Sequence, residues 1–324
     1  MNDTPANETP DSQVLLNQIV IEYMREQKRQ RRWRWVKRAL FFVLFVFIIY
    51  QIYTYSEEDK SLRIKPHVGL IDVIGTIFDT DAANAENFAK GLDSAYKSKG
   101  LKALIIRINS PGGSPVQADY MFNTLQYYRQ KYPGVKTYAV CVDMCASAAY
   151  YVAAGADEIY ANPSSIVGSI GVLYNGFGFV DALQKLGISR RLQTAGKNKG
   201  FLDPFSPETP QQAQLLQTML DNIHQQFIAK VKEGRGSRLK IDDDTFSGLF
   251  WTGEQAKERG LIDDFASSGQ IVRDKMQLEK VIDYTFKESV LERFSKNLGT
   301  ALADQLPTAL GLKPGLRAQL ESKI

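Results

Sequence analysis

The chain has little of what several protein classes need. Its two cysteines exclude a disulfide-rich scaffold and a zinc-ribbon ligand set, and its two histidines exclude a three-histidine metal centre. It contains no GxxxxGK[ST] phosphate loop, no HExxH helix and no GxSxG elbow. Charge of one sign is scarce too: 40 Lys+Arg against 36 Asp+Glu leave +4 over 324 residues. Most of that excess sits in residues 1–38, so the remainder is almost neutral and no broadly basic, nucleic-acid-binding body is expected. No tandem repeat is present. What is there, 44% hydrophobic residues and 24 glycines, suits one large globular domain or two modest ones.

Residues 1–35 read as a basic tail, polar to about residue 13 and rich in Arg and Lys from Lys28. A weakly striped helix fits Gln18 to Glu26. Ala39 to Tyr53 then form an uncharged run with Gln51 as its only strongly polar side chain; extended to residues 36–55, with Lys37 and Arg38 snorkelling, it is long enough to cross about 30 Å of hydrocarbon. Trp33 and Trp35 at one end and Tyr53 and Tyr55 at the other suit the two membrane interfaces. The run begins too far from Met1 for a cleaved signal peptide and is followed by no small-residue cleavage site. Basic residues before it and Glu57-Glu58-Asp59 after it predict a single-pass inner-membrane protein. Its N-terminus would be cytoplasmic and everything beyond the span periplasmic or otherwise extracytoplasmic. Residues 56–66 are expected to be a linker, 67–265 the main domain, and 266–324 an extension with oligomer contacts and a loose tail around Pro307 to Gly315.

From His67 the pattern alternates strand and helix. Apolar strands fit His67 to Ile74, Leu101 to Asn109, Val135 to Val142 and Glu158 to Ala161. Helices fit Ala82 to Lys99, Pro115 to Lys131, Ala146 to Ala154, Phe177 to Leu186, Pro207 to Lys232 and Thr252 to Arg259. Ile166 to Tyr174 reads as a glycine-punctuated extended stretch, Ile271 to Lys275 and Val281 to Tyr284 as small elements, and Ser289 to Leu302 as a helix. That alternation predicts an α/β fold with a mainly parallel, helix-covered sheet.

Two small-residue stretches are suited to chemistry. Asn109-Ser110-Pro111-Gly112-Gly113-Ser114 joins a strand to a helix, where glycine N–H groups can hold an anion or a developing oxyanion. Ser147 lies among alanines at a second strand-to-helix junction, where a serine is either a helix cap or a positioned nucleophile. His67 and His224 are expected to be structural or exposed. Cys141 and Cys145 are expected to be buried thiols; a C-x3-C pair without further ligands argues poorly for metal, and Cys145 has no histidine base in its sequence context.

Residues 68–265 resemble the bacterial signal peptide peptidase (SppA) family of serine proteases. The resemblance is carried by Ser110-Pro111-Gly112-Gly113, Cys145-Ala146-Ser147-Ala148-Ala149-Tyr150-Tyr151 and Ala156-Asp157-Glu158-Ile159-Tyr160-Ala161. It continues through Ser165 to Val172, Gly196-Lys197-Asn198-Lys199 leading to Asp203-Pro204-Phe205, and Phe250 to Ala256 leading to Gly260-Leu261-Ile262-Asp263. It implies a Clp protease/crotonase-like spiral of ββα units behind one transmembrane helix. It also implies a Ser–Lys dyad: Ser147 as nucleophile, Lys199 as general base and acid, and Ser169 orienting the lysine. Gly113 and Ala148 would supply the oxyanion N–H groups, with Gly112 shaping the turn; Lys197 is the local competitor for Lys199. The family commonly carries glycine-containing small residues after the nucleophile, whereas this chain has Ala148-Ala149, which implies a changed pocket width.

Such a dyad is chemically coherent because a lysine can replace histidine as base when burial keeps it uncharged. The resemblance further implies remnant signal peptides and other hydrophobic exported polypeptides as substrates, a homo-oligomer, and no metal or organic cofactor. Two other classes compete. An acyl-CoA enzyme of the crotonase relatives would bind CoA and work without Lys199. A membrane-anchored, non-catalytic interaction protein would leave Ser147 unreactive.

Overall fold

The structure is a computed structural model; it describes residues 12–287, and for residues 12–18, 48 and 51–62 the backbone alone. The expected helix over Ser289 to Leu302, and the tail beyond it, lie outside the described residues. The chain divides after Leu62 into two compact units.

The first unit is helical. Helix α1 runs without a break over Ser12–Ile64. No proline or glycine interrupts those residues, and Pro66 bars Lys65 from the helical region. The linker expected over 56–66 is therefore helix as far as Ile64. Leu40 to Phe47 are all exposed, so this stretch is apolar on every face. Among the described residues no helix is long and apolar enough to cross a membrane. The span expected over 36–55 includes Ile48 and residues 51–55, whose side chains are not described.

The second unit is built on a mostly parallel sheet. Its elements are β1 (His67–Ile74), α2 (Ala85–Tyr96), β2 (Leu101–Ser110), α3 (Pro115–Lys131), β3 (Lys136–Ala146), α4 (Ala148–Ala154), β4 (Glu158–Ala161) and β5 (Ile166–Gly168). They are followed by α5 (Val180–Lys185), α6 (Pro210–Arg235), β6 (Phe250–Thr252), α7 (Gly253–Glu258), β7 (Asp264–Phe265) and β8 (Val281–Asp283). The spatial order is β6-β5-β3-β2-β1-β8, with β4 also paired to β3 and β7 extending β4. Every pairing is parallel except β5 with β6.

The sequence explains the central strands. β2 is Leu-Lys-Ala-Leu-Ile-Ile-Arg-Ile-Asn-Ser, a near-continuous apolar run of the kind a strand covered on both faces requires. One face packs Ile71, Leu104, Ile106 and Ile108 against Phe88, Leu92, Phe122 and Leu125 of α2 and α3. The other packs Val68, Ala103, Ile105 and Tyr138 against Ile271 and Val272.

One irregularity in the sheet matters for function. Ile108 pairs with Cys141 and Ser110 with Cys145, so two steps of β2 are matched by four of β3. The extra residues form a bulge, and a bulge re-aims the chain that follows it. β3 therefore has two halves: Tyr138 to Cys141 pairs with β4, and Met144 to Ala146 pairs with β5. Sequence periodicity ended this strand near Val142; the bulge carries it on to Ala146.

Candidate active site

The Gly112-Gly113 turn and Ser147 follow the carboxyl ends of the adjacent strands β2 and β3, the end of a parallel sheet where ligands bind. Ser147 has φ 54° and ψ −126°. A non-glycine residue there is strained, and such strain persists only where the surroundings enforce it. Three contacts do so. The Ser147 N–H donates to Gly168 O at 2.8 Å, its carbonyl accepts from Tyr151 N–H at 3.1 Å, and Gly112 packs against it. A methyl group on Gly112 would stand 2.8 Å from both Ser147 Cβ and Ala146 O. Although Ser147 stands at the cap position of α4, its side chain makes no capping bond. The hydroxyl is free for other work.

The glycine turn is held from its far side. Ile77 N–H donates to Gly112 O at 3.0 Å, and Ser114 N–H donates to Ile77 O at 2.8 Å. A Cβ on Gly113 would fall 2.3 Å from Ile77 O, so the position admits only glycine. Its own N–H has no hydrogen-bond partner among the described residues. Ala148 is the first residue of α4, so its N–H has no partner within that helix. Gly113 and Ala148 both line a cleft of about 770 Å³ together with Ser147 and Ser169. Two unspent N–H donors beside a free hydroxyl are what acyl transfer requires.

Ser169 also has a left-handed backbone, φ 52°, and its N–H donates to Leu249 O at 2.8 Å. Much of the remaining cleft wall is apolar. Leu216, Met219, Leu220, Ile223 and Phe227 of α6 face the serine side, with Tyr151 beneath them. Tyr151 stacks on Phe227 with ring centroids 4.9 Å apart, and its hydroxyl donates to Asp119 Oδ1 at 2.9 Å.

Ser147, Ser169, Gly113 and Ala148 are thus brought together, with Gly112 behind them. Lys199 is not among the residues that line the cleft. It is exposed on the turn after Gly196, with its N–H donating to Gly196 O at 3.1 Å; Lys197 beside it is exposed as well. The Lys199 ammonium makes no hydrogen bond or ion pair among the described residues. Its segment is held internally by an Arg190–Asp203 ion pair and by Phe179 stacked on Phe205 at 5.4 Å. The Arg190 contact, helped by Ser206, keeps the Asp203 carboxyl below its ordinary pKa.

His224 of α6, expected to be structural or exposed, lines the cleft. His67 is buried, and that burial holds its pKa below the ordinary value. Cys141 and Cys145 are free, buried thiols. Burial, reinforced by the neighbouring Cys141 thiol, pushes the Cys145 thiol well above its ordinary pKa, which suits a packing role and not a nucleophile. The sequence missed the α6 wall as part of the site. Its apolar stripe was visible, but a stripe does not say whether it faces a core or a cleft.

Comparison with known proteins supplies independent information. The model of the family described as "Peptidase family S49" matches residues 129–282. A putative protease of Methanocaldococcus jannaschii is 32% identical over 67% of this chain and 68% of its own length. The putative signal peptide peptidase SppA of Enterococcus faecium is 25% identical over 70% of this chain and 67% of its own. A Brucella abortus protein named Na(+)/H(+) antiporter NhaA is 42% identical over 59% of this chain, a stretch that spans only 26% of that protein.

Proposed function

Because the chain belongs to peptidase family S49, we propose that it is a membrane-anchored serine endopeptidase that cleaves remnant signal peptides and other hydrophobic exported polypeptides. The observation that carries this reading is Ser147 itself: a strained nucleophile position with an uncommitted hydroxyl, facing the free N–H groups of Gly113 and Ala148 across one cleft. In the reaction, Ser147 Oγ attacks the substrate carbonyl as Lys199 takes its proton. Gly113 and Ala148 N–H hold the tetrahedral oxyanion. Lys199 then protonates the leaving amine, and water releases the acyl group by the reverse proton path. Ser169 orients the lysine ammonium. The parallel α/β sheet is read as a Clp protease/crotonase-like spiral of ββα units.

Lys199 reaches Ser147 only if its segment is rearranged or supplied by a neighbour. Leu173, Phe177, Leu186 and Ile188 of that segment are exposed, 81%, 73%, 71% and 53% respectively. Apolar exposure on this scale marks an interaction surface, which we assign to another copy of this chain. On this reading homo-oligomerisation is the step that encloses the segment, removes the Lys199 side chain from water so that it can serve as an uncharged amine, and completes each site. The apolar α6 wall favours hydrophobic side chains. The wholly apolar surface of residues 40–47, next to the basic stretch from Lys28 to Arg38, supports membrane insertion of residues 36–55. The N-terminus is then cytoplasmic and the catalytic unit extracytoplasmic.

The test uses the detergent-solubilised full chain and a signal-peptide-like substrate. Ser147→Ala and Lys199→Ala should each lose cleavage while retaining the oligomer mass of the unaltered chain. Mixing and reassembling the two variants should restore partial activity if the lysine comes from a neighbour. Cleavage at the unaltered rate by Ser147→Ala would overturn the protease reading.

A further inference from the structure

The two histidines of this chain are in opposite situations. The Nδ1 of His67 is 2.8 Å from Lys65 O, and its Nε2 is 2.9 Å from the Tyr284 hydroxyl. A carbonyl only accepts, so the proton of His67 sits on Nδ1 and the tyrosine donates to Nε2. His224 is the reverse. Its Nε2 is 2.9 Å from Ile170 O, again a carbonyl, so here the proton sits on Nε2.

Ile170 lies at the end of the turn that backs the nucleophile. Gly168 has φ 107° and Ser169 φ 52°, an unusual pair of left-handed residues in succession. Each carbonyl of this run is taken by a different group. Gly168 O accepts from the N–H of Ser147 itself at 2.8 Å, and Ser169 O accepts from Gly171 N–H at 2.9 Å. Ile170 O accepts from His224. Removing the last bond would leave a carbonyl without its partner in a residue that is fully buried.

His224 also marks the place where α6 changes character. From Phe227 onward the helix buries Phe227, Ile228 and Val231 in the core, whereas Leu215 and Met219 in its first half are exposed. The imidazole is half-buried at that transition. We infer that His224 is a positioning residue: its Nε2–H fastens the α6 wall of the cleft to Ile170 O, and so holds the Gly168-Ser169 turn against Ser147. The Nε2–H assignment leaves Nδ1 as the nitrogen that could act as a base, and among the described residues no hydrogen bond joins it to Ser147. This inference rests on the protease reading above.

The experiment compares the full chain with its His224→Ala and His224→Gln variants. Because the effect passes through Ser169 and Ser147, His224→Ala should lower kcat about tenfold while KM stays within about twofold. His224→Gln places an amide N–H where Nε2–H was and should recover kcat to within about threefold. Nitrogen-15 NMR of the full chain labelled at histidine should show one Nε2–H ring, lost in both variants, and one Nδ1–H ring from His67. Unaltered kcat in His224→Ala, a His224→Gln variant as slow as His224→Ala, or an Nδ1–H tautomer at His224 would each overturn the inference. The tautomer is read without turnover. Failure of the protease reading shows separately, as full cleavage by Ser147→Ala.

Discussion

The sheet with its covering helices and the run from Gly171 to Gln226 behave as two different kinds of protein. In the first, the side chains of Leu104, Ile106, Phe122, Met121 and Tyr150 are fully enclosed. In the second, no residue is buried, although Leu173, Phe177 and Leu186 are large and apolar. Ser147 and the N–H groups of Gly113 and Ala148 belong to the first region, and Lys199 belongs to the second. The difference teaches that the core of a single chain already holds Ser147 and the two N–H groups in one cleft. On the proposed reading, the part played by Lys199 depends on whatever covers the open run.

The largest effect should come from breaking the closed region where α6 enters it. Arg235 is 1% exposed. It donates to Asp263 through both terminal nitrogens, at 2.8 and 3.0 Å, and through Nε to Gly260 O at 2.8 Å. Asp263 also accepts from Ile159 N–H at 2.7 Å, tying β4 to the same point. Burial alone would raise the Asp263 carboxyl pKa, but the Arg235 contacts outweigh it and hold the value below the ordinary one. Arg235→Met leaves that carboxylate without its main partner and should cost about 3–5 kcal/mol in urea unfolding. Loss of under about 1 kcal/mol would mean that the closed region does not depend on this anchor.

Next in size is the glycine turn, the point where the closed region meets the chemistry. Gly113→Ala puts a methyl group into Ile77 O, displacing the N–H that faces the cleft. Loss of one oxyanion donor typically costs about 100-fold in kcat. Cleavage assays should show a fall of that order with the chain still folded by circular dichroism. A kcat within threefold of the unaltered chain would remove Gly113 from the site.

The same contrast explains what could be read from the sequence. Helix α3 starts at Pro115 and ends at Lys131, as expected from a proline at the first position after a capping serine. Strand β1 is also where its apolar run placed it. These signals are local. The continuation of β3 to Ala146 is not, because it depends on a bulge defined by pairing with β2. Strand β6 was hidden too: Phe250-Trp251-Thr252 reads as the approach to a helix until β5 pairs with it. Ser147 was singled out as the nucleophile by resemblance, whereas its strain and its unused hydroxyl appear only in three dimensions. The contact from His224 to Ile170 joins residues far apart in the chain, and no pattern around either announces it. For Lys199 the residue type and motif were visible, but its exposed place outside the cleft lining was not.

A smaller, pH-dependent effect should mark the edge of the closed region. His67 is buried and holds the strand–helix junction through Lys65 O and Tyr284. Burial is the main cause that lowers its pKa; Lys280 and Arg63 lower it further, against the bond to Lys65 O, which raises it. Below the ordinary value of 6.5 the unfolded chain therefore takes up a proton that the folded chain refuses. Stability should be flat above pH 6.5 and decline as the pH falls through the lowered value. Thermal unfolding of His67→Phe, which removes the titrating group, should lack this particular decline. An identical pH dependence in the two proteins would show that His67 does not contribute to it.

The smallest stability change should be found in the open run, and there it is the informative result. Phe177→Ser and Leu186→Ser together remove apolar surface that no core uses, so the unfolding free energy should move by no more than about 0.5 kcal/mol. If another copy covers these side chains, the oligomer should dissociate on light-scattering analysis and peptide cleavage should fall with it. Reaction of Ser147 with a small, activated serine-directed probe should suffer less, because its hydroxyl and the Gly113 and Ala148 donors belong to one chain. A double variant that keeps both its assembly and its full cleavage rate would show that the exposed apolar run is not what completes the site. Under the proposed dyad, Lys199 would then have to reach Ser147 by movement within its own chain.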